Sequence, residues 1–145
     1  MLTVAAGTTM TDGVDVTTYK YDLNRSGQNL AESALTLTNV ASSTFGLLRS
    51  LPVDGRVDAQ PLYLSALSAA GGTFNAVFVA TEHDSVYAFD SDSGAILWHV
   101  SLLSTGEKTS DTRGCSQVSP EIGITSTPVI DRSAGAHGTM YVVAM

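Results

Sequence analysis

The sequence predicts an all-β chain, and three observations carry that reading. First, Ala76–Thr81, Ser85–Asp90 and Ala95–Val100 are short runs rich in Val, Phe, Tyr and Ile, separated by Glu82-His83-Asp84 and by Ser91–Gly94. β-Branched and aromatic residues suit a pleated, half-buried surface, and Gly, Asp and Ser punctuate it, so the stretch reads as a three-stranded antiparallel meander. Second, its last reversal has a mechanism. Gly94 supplies the positive φ that closes a type I turn with a glycine bulge, while Asp90 and Ser93 accept hydrogen bonds from the turn's own amides. Third, the most helix-like stretch is weak: Thr38 or Asn39 can cap within Asn29–Val40, but Thr36, Thr38 and Val40 oppose more than a turn or two.

In chain order, residues 1–13 are small and polar and form a loose lead-in. Val14–Tyr21 is extended, and Asp22–Asn29 is turn chemistry with Asn24 and Gly27 as the positive-φ positions. Phe45–Val53 alternates, with Phe45, Leu47, Leu51 and Val53 on one side, and Pro52 marks it as an edge strand. Asp54-Gly55 is a hairpin signal that leads into a strand at Arg56–Leu64. The small residues of Leu64–Phe74 read as a loop before the meander begins. Trp98, on the meander's last strand, is too large to leave exposed on a small sheet and should pack against a neighbouring layer. Ser101–Ile124 breaks the strand pattern, and a loop that long in a compact domain is often functional. The pattern then restarts: Gln60-Pro61-Leu62-Tyr63 followed by Val77-Phe78-Val79 is echoed by Thr127-Pro128-Val129-Ile130 followed by Met140-Tyr141-Val142.

Composition bounds the function. At 145 residues and 43% apolar content the chain is expected to form one packed domain. Its net charge is −7, and its seven basic residues are scattered, which argues against a nucleic-acid partner. No window reaches the roughly 18 apolar residues of a membrane span. Leu2–Ala6 is too short for a signal-peptide core. The single Cys115 cannot form an internal disulfide. No Gly-rich phosphate loop, Gly-x-Ser-x-Gly elbow or Cys-x-x-Cys pair occurs.

Ala88, Asp90, Ser93, Gly94 and Trp98 resemble the tryptophan-docking motif of pyrroloquinoline-quinone (PQQ)-type β-propeller repeats, with Ser93 in place of the motif's Thr. Tyr21, Asn24, Gly27 and Asn29 are similar to the opening of many such propellers, and the likeness extends to Ala80–Asp90 and Gly123–Asp131. The resemblance implies a partial β-propeller: Arg56–Leu64 and the meander as one complete four-stranded antiparallel blade, with parts of its neighbours on either side. Residues 1–44 would be an extended lead-in, and 45–145 an incomplete propeller domain that stops within the strand-like run Thr139–Met145. A closed ring needs about 4–8 blades, so the chain is read as an N-terminal fragment whose partners include the remaining blades of its parent.

In such a blade the turn between the second and third strands and the crossover to the next blade emerge on one face. That places Glu82, His83 and Asp84 beside Cys115 and Glu121. Glu82, His83, Asp84 and Glu121 are candidates for holding a metal or for acid–base work. The competing reading is a polar turn that caps its own backbone. Cys115 has no neighbour in sequence that lowers its pKa and reads as a spare thiol. His99 is expected at the edge of the sheet.

The family includes both scaffolds and quinoprotein dehydrogenases, and the motif does not separate them. The resemblance implies a binding or scaffold module of a bacterial periplasmic or secreted protein, presenting loops to a protein, a glycan or a small molecule, with no catalysis by this fragment. The alternative is the N-terminal fragment of a PQQ-dependent alcohol or sugar dehydrogenase, whose full-length form would bind PQQ and calcium. With Phe45–Val53 and Thr139–Ala144 exposing strand edges, the isolated chain is expected to be marginal and to associate. Its melting temperature, followed by circular dichroism, should then depend on protein concentration; a sharp, concentration-independent two-state melt of a monomer contradicts this.

Overall fold

Alternation in the sequence becomes two buried faces on one sheet. The computed structural model describes residues 13–41, 43, 45–69 and 71–145. Within them a four-stranded antiparallel sheet is formed by β1 (Leu62–Ala69), β2 (Gly72–Ala80), β3 (Ser85–Asp90) and β4 (Ile96–Ser101), adjacent in chain order. Two small hairpins follow, β5 (Ser110–Asp111) with β6 (Glu121–Ile122), and β7 (Val129–Asp131) with β8 (Thr139–Tyr141). A short 3-10 turn, Ser116–Val118, is the one helical element among the described residues. The all-β expectation and the four-stranded sheet hold, and no closed barrel is present among the described residues.

The two central strands are apolar on both sides. Ala76, Phe78 and Ala88 share one face with Leu62 and Leu64, and Val16, Ile130 and Met140 cover it. Val79, Tyr87 and Phe89 lie on the other face, beneath Leu51 and Val53. Strands buried on both faces need a layer on each side, and here segments from before and after the sheet supply them. The chain at Asp15–Thr17 ties the layers together: Val16 exchanges backbone hydrogen bonds with Tyr63 (2.8 and 3.0 Å), and the Ile130 amide donates to the Thr17 carbonyl at 2.8 Å. Asp15 accepts bonds from the Ser65 amide and hydroxyl and pairs with Arg132.

The Ser91–Gly94 reversal forms as expected. Gly94 has φ of +78°, its amide donates to the Asp90 carbonyl at 2.8 Å, and the Asp90 carboxylate accepts from the Ser93 amide and hydroxyl. The register then shifts: Phe89 pairs with Ile96 but Ala88 pairs with Trp98. This bulge leaves Leu97 as the extra residue, so Leu97 and Trp98 both reach the Phe78 face, with the Trp98 and Phe78 rings 5.9 Å apart.

Several expected boundaries are corrected. The first strand lies at Leu62–Ala69 rather than Arg56–Leu64, and the Leu64–Phe74 loop is instead the hairpin joining β1 to β2. The small residues there remain in the ladder because a bulge between Leu64 and Leu67 absorbs the misfit, with Ala66 at φ of +47° and its amide held by the Asn75 side chain. Phe45–Val53 forms no strand, and Asp54-Gly55 is a bend rather than a hairpin. Phe45, Leu47 and Leu48 are exposed, while Leu51 and Val53 pack on the sheet by side-chain contact. In the Asp22–Asn29 turn Gly27 has positive φ, but Arg25 rather than Asn24 joins it; Lys20 and Tyr21 precede them. Asn29–Val40 contains turns and no helix, and Ser101–Ile124 holds the β5–β6 hairpin. Apart from Gly13, the lead-in expected at 1–13 lies outside the described residues.

Phe89 is fully buried. Phe89→Ala should therefore cost about 3–5 kcal/mol, read in urea unfolding as a lower midpoint at unchanged slope.

Candidate functional site

The turn between β2 and β3 is where the chain's polar groups meet. It closes through the Thr81 amide on the Ser85 carbonyl (2.9 Å) and the Asp84 amide on the Thr81 carbonyl (3.2 Å). Asp84 takes φ of +52°, a left-handed conformation that Asp tolerates better than most residues. The turn divides its side chains: Glu82 and Asp84 are buried, at 0% and 2% exposure, while His83 is only partly covered.

Glu82 reaches inward to the segment after β6. Its Oε2 accepts from the Gly123 amide (2.7 Å) and the Thr125 hydroxyl (2.9 Å), and the Ile124 amide donates to the Thr81 carbonyl at 3.1 Å. The approach leaves room for glycine alone, since a Cβ on Gly123 would sit 2.3 Å from the Glu82 carbonyl oxygen and 2.8 Å from Asp84 Oδ1. Burial pushes the Asp84 carboxyl above its ordinary range, and repulsion from Glu82 and Glu121 adds to this against the Met145 amide that binds it. Glu82 Oε1 and Asp84 Oδ1 are both buried without a hydrogen-bond partner.

His83 reaches outward to the long excursion. Its Nδ1 lies 3.0 and 3.1 Å from the Glu121 carboxylate oxygens, and the Thr109 hydroxyl donates to Glu121 at 2.7 Å. The hydrogen bond to Glu121 raises the His83 pKa. Burial pulls Glu121 upward, but the bonds from Thr109 and His83 outweigh it and leave its pKa lowered. Asp54 completes the cluster from below the sheet, accepting from the Thr81 and Ser85 hydroxyls at 3.0 and 2.5 Å. His99 Nε2 approaches Asp54 at 3.8 Å, and its ring stacks on Tyr87 at 4.2 Å.

The structure thus brings Glu82, His83, Asp84 and Glu121 to one region, but not as one ligand set. Among the described residues no group of three or more His, Cys, Asp and Glu side chains is arranged to hold a metal ion. Ser85 is fully buried and donates its hydroxyl to Asp54. Cys115 is exposed before the 3-10 turn, its amide on the Thr112 carbonyl. Asp54, which sequence reasoning assigned to a hairpin turn, is the residue it missed; the Thr-x-x-x-Ser spacing of Thr81 and Ser85 around a tight turn is the signal for two hydroxyls facing one acceptor.

Ala88, Asp90, Ser93 and Gly94 build the turn and the pairing that orient Trp98. Trp98 is 38% exposed and lines a groove of about 360 Å³ with Leu64, Phe78, Ile130, His137 and Met140. The expected burial against a neighbouring layer is not met: Trp98 stays exposed, rests on Phe78 of its own sheet, and faces the β7–β8 hairpin only across this groove. No helix among the described residues is long and apolar enough to cross a membrane. Compared with family models, curated proteins and solved structures, the chain matches none.

The His83–Glu121 pair sets a pH window. His83, raised above its ordinary 6.5, contributes stability present below that value and lost as pH rises through its folded pKa. Glu121, lowered from its ordinary 4.5, contributes stability present above 4.5 and lost as pH falls through its folded pKa. The pair therefore stabilises most between about pH 4.5 and 6.5. A His83→Gln variant should lose stability relative to the parent chain inside that window and converge with it once pH has risen past the folded His83 pKa, as read by melts across pH.

Proposed function

We propose that the chain is a PQQ-type β-propeller repeat module acting as a binding scaffold outside the cytoplasm. The observation that carries the reading is the Asp90–Ser93–Gly94 turn, whose bulged strand turns Trp98 toward the next hairpin. A sheet covered on both faces, by Leu51 and Val53 on one side and by the β7–β8 hairpin on the other, also fits a blade between two neighbours. The excursion from Leu102 to Gly123 would be its ligand-presenting loop, because it emerges beside the β2–β3 turn and carries side chains that the sheet does not use. The acidic balance fits a protein, glycan or small-molecule ligand better than a polyanion.

The test pairs two assays on the full chain. Arrays of glycans and peptides should return a ligand whose affinity falls at least about tenfold, or 1.4 kcal/mol, in Lys108→Glu or Arg113→Glu. Incubation with PQQ, calcium and an alcohol or a sugar should leave an electron-accepting dye oxidised. Alcohol- or sugar-dependent dye reduction overturns the scaffold reading in favour of a quinoprotein dehydrogenase.

A further inference from the structure

Among the described residues, no Lys or Arg pairs with the two buried carboxylates of the β2–β3 turn. Glu82 Oε1 and Asp84 Oδ1 are both sealed from solvent without a hydrogen-bond partner. Neither carboxylate forms an ion pair with Lys or Arg among the described residues, and the one imidazole in the turn, His83, is engaged outward by Glu121. A water could satisfy the lone pairs but not the charge, and an uncompensated buried charge is costly. The groups converge. Glu82 Oε2 binds the Gly123 amide, and a Cβ built on the same glycine would meet both the Glu82 carbonyl oxygen and Asp84 Oδ1. All three donors are oxygens, two of them formally anionic, the set preferred by a hard divalent cation. A cleft of about 310 Å³ lined by Asp84, Leu102, Glu107, Lys108 and Met145 gives Asp84 a route to solvent.

We propose that Glu82 and Asp84, with the Glu82 carbonyl, form a structural site for a hard divalent cation of the calcium type, bound on the buried side of the β2–β3 turn, beside the point where Gly123 packs against it. The site is built within one turn and one crossing segment, needs no quinone, and stands whether or not the chain is a propeller module. The irregular mixture of carboxylate and carbonyl oxygens favours calcium over magnesium, which demands near-octahedral geometry. Two carboxylates place the affinity at the weak end for calcium sites, with Kd on the order of 10⁻⁴–10⁻³ M. The cation would lock the excursion at both ends, because Leu102 binds the Asp84 carbonyl and Ile124 the Thr81 carbonyl.

The experiment titrates the chelator-treated chain with calcium chloride by calorimetry, and follows its melting temperature without quinone. One calcium per chain is expected, with a melting temperature that climbs with the logarithm of calcium concentration above about 1 mM. Glu82→Gln and Asp84→Asn should each abolish the heat and the shift. Both should also melt above the parent chain in calcium-free buffer, since each removes an uncompensated buried charge. If Glu82→Gln fails to fold, Asp84→Asn carries the same reading. No calcium heat and no melting shift up to 10-fold above about 1 mM overturns the proposal, as does calcium binding unchanged in a folded variant. A chain stabilised by acidification but not by calcium also overturns it, and assigns the missing counter-charge to a proton. Dye reduction in the quinone assay is independent of all these outcomes, so the failure of either proposal is read separately.

Discussion

Burial of both faces of β2 and β3 is the constraint on which the rest of the structure depends. Ala76, Phe78 and Ala88 point one way and Val79, Tyr87 and Phe89 the other, so neither strand can lie at a water-facing surface. Full burial of a side chain such as Phe89 or Leu62 contributes about 1.5–3 kcal/mol. The partly exposed Asp15–Arg132 pair is worth about 1 kcal/mol or less. Apolar contact therefore holds the layers, and the polar ties fix how they sit. Val16 pairs with Tyr63 and Thr17 accepts from Ile130, which sets the β7–β8 hairpin against β1 at one register.

The same division of labour appears at the β2–β3 turn. The excursion after β4 leaves from the Asp84 carbonyl, where the Leu102 amide binds, and returns at the Thr81 carbonyl, where the Ile124 amide binds. Both ends of a long loop are thus anchored on one short turn, the arrangement of a closed surface loop whose ends lie close together. Glu82 adds a side-chain clamp on Gly123 and Thr125, and Glu121 adds another through His83. The absence of a Cβ at Gly123 is what lets the backbones approach this closely. Replacing that glycine would disturb the turn and the loop together, because one contact serves both.

The elements legible in the sequence were those whose turns carry their own chemistry. Ser85–Asp90 lies where its pattern placed it, because a tight turn precedes it and the Asp90–Gly94 reversal follows. β1 was misplaced because its signal is tertiary. Ser65, Ala66 and Ser68 have the composition of a loop, and only the partners offered by β2 and Asn75 make them a strand. Phe45–Val53 failed in the opposite sense: it alternates like a strand, but no neighbouring strand pairs with it, and only Leu51 and Val53 are drawn onto the sheet. Asp54-Gly55 misled because two hydroxyls, from Thr81 and Ser85, claim the Asp54 carboxylate before any hairpin can use it. At the candidate site, the crowding of His83 with Glu121 followed from strand order, whereas the inward turn of Glu82 and Asp84 did not. Nothing in Glu-His-Asp tells which of three successive polar residues will be buried.

That inward turn determines the electrostatic character of the region. Asp54, Glu82, Asp84 and Glu121 gather around one turn, and among the described residues the basic groups that form ion pairs with them are imidazoles, His83 and His99. An imidazole is a counter-charge that disappears as pH rises past its pKa, whereas the carboxylates of Asp54 and Glu121, both held below their ordinary values, remain ionised. The region therefore gains negative charge as pH rises through the raised pKa of His83. A polyanion approaching this face meets repulsion that salt screens only where the carboxylates are exposed. A ligand that brings positive charge, or that donates hydrogen bonds, finds acceptors already fixed in place by the turn and the loop, and loses little by being ordered there.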